Sequence, residues 1–100
     1  MAYDSSEFDG KVMIVLGDIQ AMLQNKNRKY GNSALAPKTI FSKQNPIERL
    51  KVRIDDKLLR LEQQNVDEDE DVLRDLIGYL VLLDIALQER NGGKVDTKYK

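Results

Sequence analysis

Neither cysteine nor histidine occurs anywhere in the 100 residues. Their absence excludes disulfide cross-links, a structural zinc centre built on those ligands, a thiolate nucleophile and an imidazole base. Carboxylates, lysines, tyrosines and hydroxyls are left to do any chemistry. The N-terminal stretch MAYDSSEFDG also lacks a basic flank followed by an apolar run, so no secretory signal is expected and a cytosolic compartment follows. Internal repeats are missing, and the acidic run Asp67 to Asp71 is the one biased segment. A domain this short buries a modest fraction of its surface, and without disulfides self-association is the usual remedy.

What is present is charge, unevenly placed. The net charge is −1, yet the segment from Lys26 to Arg60 holds ten Lys/Arg against three Asp/Glu, a local balance of +7 inside a remainder of −8. A basic middle in an acidic protein suits a small polyanion. Long nucleic acid would be repelled by the acidic ends. The bland reading, solvated helix faces and loop charges, stands beside it.

One apolar stretch organises the rest. Of the 16 residues from Val72 to Leu87, 12 are apolar and none is proline, which predicts a helix. At about 100° per residue, Leu76, Leu80, Leu83 and Leu87 share one side, Ile77 and Val81 another, and Leu82, Ile85 and Ala86 a third. A helix apolar all round is expected to be buried all round, which points to a homo-oligomer. The stretch is shorter than the roughly 20 residues that span a bilayer and contains Arg74, Asp75 and Asp84, so no membrane insertion is expected.

Residues 1–10 are polar, with Ser5, Ser6 and Asp9 available as N-caps, and are expected to be flexible. Val12, Val15, Leu16, Ile19, Met22 and Leu23 then predict an amphipathic helix from Lys11 to Asn25. Tyr30 to Asn45 has no sustained period and reads as a long loop anchored by Ile40 and Phe41. Within it, Gly31-Asn32 permits a left-handed turn whose amides could hold phosphate, but the motif is unspecific and a plain turn is the stronger reading. Asn45, Pro46 and Glu48 form a helix start. A stripe of Ile47, Leu50, Ile54, Leu58 and Leu61 follows, with Arg53, Lys57 and Arg60 on one flank. After a short connection from Gln63 to Val66, the acidic run opens the third helix, which stops near Gly92, and residues 91–100 form a polar tail. The expected fold is all-α: one domain over residues 11–90, with a short first helix, a long loop and an antiparallel helical hairpin, assembled into a homo-oligomeric bundle.

The chemistry centres on Lys57 and Arg60 of the second helix and Asp71 and Asp75 of the third. Paired carboxylates on one helix face can hold Mg²⁺, with lysine and arginine neutralising phosphate oxygens. An interhelix salt bridge between Asp75 and Lys57 or Arg60 accounts for the same residues with no ligand. Asp84, deep in the apolar run, is expected to pair in an oligomer interface.

Lys26-Asn27 with Tyr30-Gly31-Asn32-Ser33, then Arg53-Ile54-Asp55-Asp56-Lys57 with Arg60-Leu61, then Asp71 with Asp75-Leu76-Ile77-Gly78-Tyr79, resembles small phage proteins related to the nucleotide modification associated domain. Those in turn look like distant members of the all-α MazG and dUTPase-like nucleoside triphosphate pyrophosphatases. The resemblance covers Lys26 to Leu87. It implies a helical oligomer with a nucleotide site between helices, phosphate contacts at Lys57 and Arg60, and Asp75 as the closing member of an acidic pair. The pattern departs in its acids: three residues before Asp75 stands Val72, and three after Glu48 stands Lys51. A two-metal hydrolytic centre needs a crowded carboxylate cluster. The expectation is therefore a phage-type protein that binds a nucleotide without turnover, sequestering a host nucleotide signal or serving phage nucleotide metabolism. Lys26, Arg53, Lys57 and Arg60 are the expected phosphate contacts, Tyr30 and Tyr79 the stacking residues, and Asn32 and Ser33 the hydrogen-bonding ones. The alternatives are a Mg²⁺-dependent pyrophosphatase using Asp71, Asp75 and Asp55 or Glu48, and a protein-interaction module with no small ligand.

Overall fold

The computed structural model describes residues 5–36, 45–63 and 71–99. These residues form three helices, α1 (Ser6–Tyr30), α2 (Pro46–Gln63) and α3 (Val72–Glu89), followed by a 3₁₀ turn (Arg90–Gly92). The expected all-α class holds: among the described residues there is no strand. No helix among them is long and apolar enough to cross a membrane.

The first helix is longer than its apolar period suggests, running from Ser6 to Tyr30 where Lys11 to Asn25 was expected. Glu7 and Asp9 in the first turn and Arg28 and Lys29 in the last turn each suit the end of the helix dipole they occupy. Gly31, at φ 60° and ψ 50°, closes the helix with its N–H on the Asn27 carbonyl. Glycine, with no Cβ, takes that left-handed geometry at no steric cost. The extension matters because it places Lys26 and Tyr30, the latter expected in the loop, on a helix. Residues 31–36 form a turn after it, and residues 37–44 of the expected loop, Ile40 and Phe41 among them, lie outside the described residues.

The second helix begins as expected, with the Asn45 side chain accepting a hydrogen bond from the Glu48 N–H at 2.9 Å and Pro46 in the first helical position. The third starts one step later than the acidic run suggests. Asp71 lies outside it as the N-cap, its carboxylate accepting from the Arg74 N–H at 2.9 Å, while Asp67 to Glu70 lie outside the described residues. At its end Asn91 (φ 62°) and Gly92 (φ 83°) both turn left-handed. The tail beyond is tied back to α3, since the Asp96 N–H donates to the Gln88 side chain at 3.0 Å.

The core is small. Ile19, Leu50, Ile54, Val72 and Leu76 are its buried apolar side chains. α3 packs along α2 and is crossed over a shorter stretch by α1. The start of α2 lies beside the end of α3, where Pro46 and Ile47 share a groove with Ala86, Glu89 and Arg90. Further along, Lys57 reaches Asp75 near the start of α3. The expectation that α3 is buried all round fails within a single chain: Leu73, Leu80, Val81 and Leu87 remain exposed. Two neighbouring helices cover two sides of a helix and leave the third open.

The crossing of α1 over α3 depends on Gly78. A Cβ there would sit 2.8 Å from Met22 Cε and 3.3 Å from Leu23 Cδ2. Gly78→Ala is expected to be nearly neutral, because the methionine end can swing aside and alanine is the better helix former by about 1 kcal/mol. Gly78→Leu has no such escape and is expected to cost about 1–3 kcal/mol by forcing the helices apart. Urea unfolding midpoints of the two variants measure the difference.

Candidate functional site

Where the three helices meet there is an open cavity of about 400 Å³. α1 contributes Met22, Leu23, Lys26, Asn27 and Tyr30, and the turn after it Ser33 and Ala34. α2 contributes Arg49, Leu50 and Arg53, and α3 contributes Asp75, Gly78, Tyr79 and Leu82. The floor is apolar and the rim carries three cations, two phenols, an amide and a hydroxyl. That combination is chemically complementary to a ligand with one charged end and one flat apolar part.

The placement of each side chain follows from helical spacing. On α1, Ile19, Met22, Leu23, Lys26 and Tyr30 share one face, so the stripe that packs on α3 continues into the cavity wall. On α2, Arg49 and Arg53 are four residues apart and therefore lie one above the other. Their guanidinium groups have no acidic partner among the described residues. Lys29 lies 5.5 Å from the centre of the Tyr30 ring, which gives that ring a cationic cap on one face.

Asp75 is the one acid in the wall, and its charge is answered twice. Lys26 reaches it at 3.2 Å and Lys57 at 3.5 Å. The Lys57 side chain is only 11% exposed, and it joins α2 to α3, while Lys26 joins α1 to α3. A second strut links the same helices, from Arg74 Nη1 to Asp18 Oδ2 at 2.8 Å. The three helices are thus pinned around the cavity by ion pairs at its edge.

Of the residues singled out in the sequence, the cavity brings together Lys26, Tyr30, Ser33, Arg53 and Tyr79, with Asp75 beside them. Asn32 does not line it; at φ 62° it forms the turn that follows Gly31. Lys57 also lies off the cavity wall, held against Asp75 in the interhelix salt bridge weighed above. Arg60 lies further along α2 and pairs with Asp56 at 3.5 Å. Arg49 and Asn27 are cavity residues not singled out from the sequence. Arg49 stands one helical turn before Arg53 on the same flank, and that spacing is the signal that would have found it.

Three of the carboxylates considered for Mg²⁺ have other partners. Asp71 caps α3, Asp75 answers two lysines, and Glu48 sits 3.6 Å from Lys51. Among the described residues no group of three or more acids could hold a metal ion. Asp84, expected in an interface, accepts from Gln88 Nε2 at 3.2 Å and lies 3.9 Å from Lys98 of the tail. Compared with protein-family models, with curated proteins and with solved structures, the chain matches none.

Proposed function

We propose that this chain binds a nucleotide, or a small anion derived from one, in the cavity between its helices and holds it without turnover. Arg49 and Arg53 carry the reading: two arginines one helical turn apart, without acidic partners among the described residues, lining a cavity that also holds two tyrosines. Guanidinium groups grip phosphate oxygens in pairs, and phenol rings stack on a planar base. Asn27 and Ser33 supply donors and acceptors for ribose or base edges. An antiparallel α2–α3 hairpin supports the arrangement, since it presents the first half of α2 to the middle of α3, where Tyr79 stands.

The carboxylates support binding without hydrolysis. Hydrolysis of a triphosphate by two metal ions needs several acids converging on one point, and among the described residues the acids nearest the cavity cap α3 or pair with lysines. A phage protein of this kind, working in the host cytoplasm, would act by sequestration: its effect on a nucleotide signal is proportional to its own concentration. The test is calorimetric titration with mono-, di- and cyclic nucleotides, with and without Mg²⁺, followed by recovery of the ligand. Saturable one-to-one binding with intact ligand is the expected result. Multiple-turnover release of pyrophosphate would overturn it in favour of the pyrophosphatase reading.

A further inference from the structure

Asp75 is the single acid among the residues that line the cavity, and two lysines share it unequally. Lys26 reaches Oδ1 at 3.2 Å and Lys57 reaches Oδ2 at 3.5 Å, so each oxygen has a lysine of its own. The Lys57 side chain is 11% exposed and lies off the cavity wall. The Lys26 side chain is 46% exposed, lines the wall, and carries its charge on a flexible stem. One lysine is enclosed with Asp75, and the other has room to turn.

Given the reading of the cavity as a nucleotide site, on which this rests, we propose that Asp75 is an internal anion that competes with the ligand's phosphate for Lys26. It thereby sets how tightly the cavity holds its ligand. Arg49 and Arg53 line the same cavity without an acidic partner among the described residues, so a phosphate drawn to them enters the space that Lys26 borders. A lysine already answered by a carboxylate attracts a further anion weakly, because the pair is close to neutral at a distance. Lys26 has to turn from Asp75 before its charge acts on the phosphate in full.

Two features let that exchange happen without disturbing the helices. Asp75 keeps Lys57 when Lys26 leaves, so no carboxylate is stranded without a partner. α1 stays on α3 through Arg74 and Asp18 at 2.8 Å, and through Met22 and Leu23, which close over Gly78. The exchange changes one ion pair and leaves the packing in place. An aspartate that held a metal ion or a base edge would behave in the opposite way, since its removal takes a contact from the ligand.

Calorimetric titration of the full chain with adenosine monophosphate as the probe tests the competition. Asp75→Asn is expected to tighten binding by about threefold to tenfold, the range of one ion pair near a protein surface. With Lys26→Gln added, the gain is expected to disappear, because there is then no lysine to release. Circular dichroism checks that each variant is folded. Asp75→Asn leaves Lys57 facing an amide, so Asp75→Asn with Lys57→Gln serves as the second variant, and a gain of the same sign is expected from it. A gain that persists in the Lys26→Gln background would show plain repulsion between Asp75 and the phosphate and would overturn the competition. So would weaker binding in Asp75→Asn. Failure of the cavity reading looks different, since Arg53→Ala would then bind the probe as wild type does. A probe that binds neither wild type nor Asp75→Asn would overturn both.

Discussion

Replacing Arg49 and Arg53 together by alanine is expected to weaken nucleotide binding by roughly 10²-fold or more. A hydrogen bond to a charged group contributes about 1.5–3 kcal/mol, and each 1.4 kcal/mol is a factor of ten. Each single substitution is therefore expected to cost about tenfold to a hundredfold. The pair need not add, because the two groups share one anion. The control is Arg60→Ala, which removes a cation from the same helix but away from the cavity, where it pairs with Asp56. If Arg60→Ala weakens binding as much as Arg53→Ala, the ligand is held by the general charge of the segment from Lys26 to Arg60 and the cavity reading fails. Salt gives a second readout. The double variant is expected to lose most of the ionic-strength dependence of binding, since exposed charges are screened within about 10 Å at 0.1 M. Both variants keep the fold, because neither Arg53 nor Arg60 belongs to the apolar core.

The largest expected effect on stability comes from Leu76→Ala. Among the described residues Leu76 is one of five buried apolar side chains, and it sits on α3, which packs against both other helices. Truncating a buried leucine costs about 2–5 kcal/mol. Domains of this length have about 5–15 kcal/mol in all. With so few buried side chains to share the loss, the variant is expected to be partly unfolded at room temperature. Circular dichroism during urea unfolding checks this directly. A loss below about 1 kcal/mol in Leu76→Ala would overturn this expectation.

Much of the architecture was legible from local chemistry. Asn45-Pro46 marks the start of α2 because an amide cap followed by proline satisfies the free N–H groups of a first turn. The run from Val72 to Leu87 reads as a helix from its length and composition alone, and the structure runs it from Val72 to Glu89. The first helix was harder to read. Its last turn, from Lys26 to Tyr30, has no apolar period, and it is helical because Arg28, Lys29 and Gly31 suit a helix end. Several cavity residues were visible as types, cations and tyrosines in a basic segment. Their grouping was not. Lys57 and Arg60 share a flank with Arg53, but a rise of about 1.5 Å per residue carries them along α2 past the cavity wall, to the carboxylates of Asp75 and Asp56.

The sequence by itself therefore determined that the described elements are helical, where α2 begins, and that the positive charge gathers in the middle. Each of these depends on neighbours within a few residues, through caps, dipoles and the 3.6-residue period. Only the tertiary structure decided which cations meet. The missing side chain of Gly78 lets α1 cross α3 at Met22, and that crossing carries Lys26 and Tyr30 over to Arg49, Arg53 and Tyr79. Contact between residues so far apart along the chain depends on which faces pack, and no local pattern specifies it.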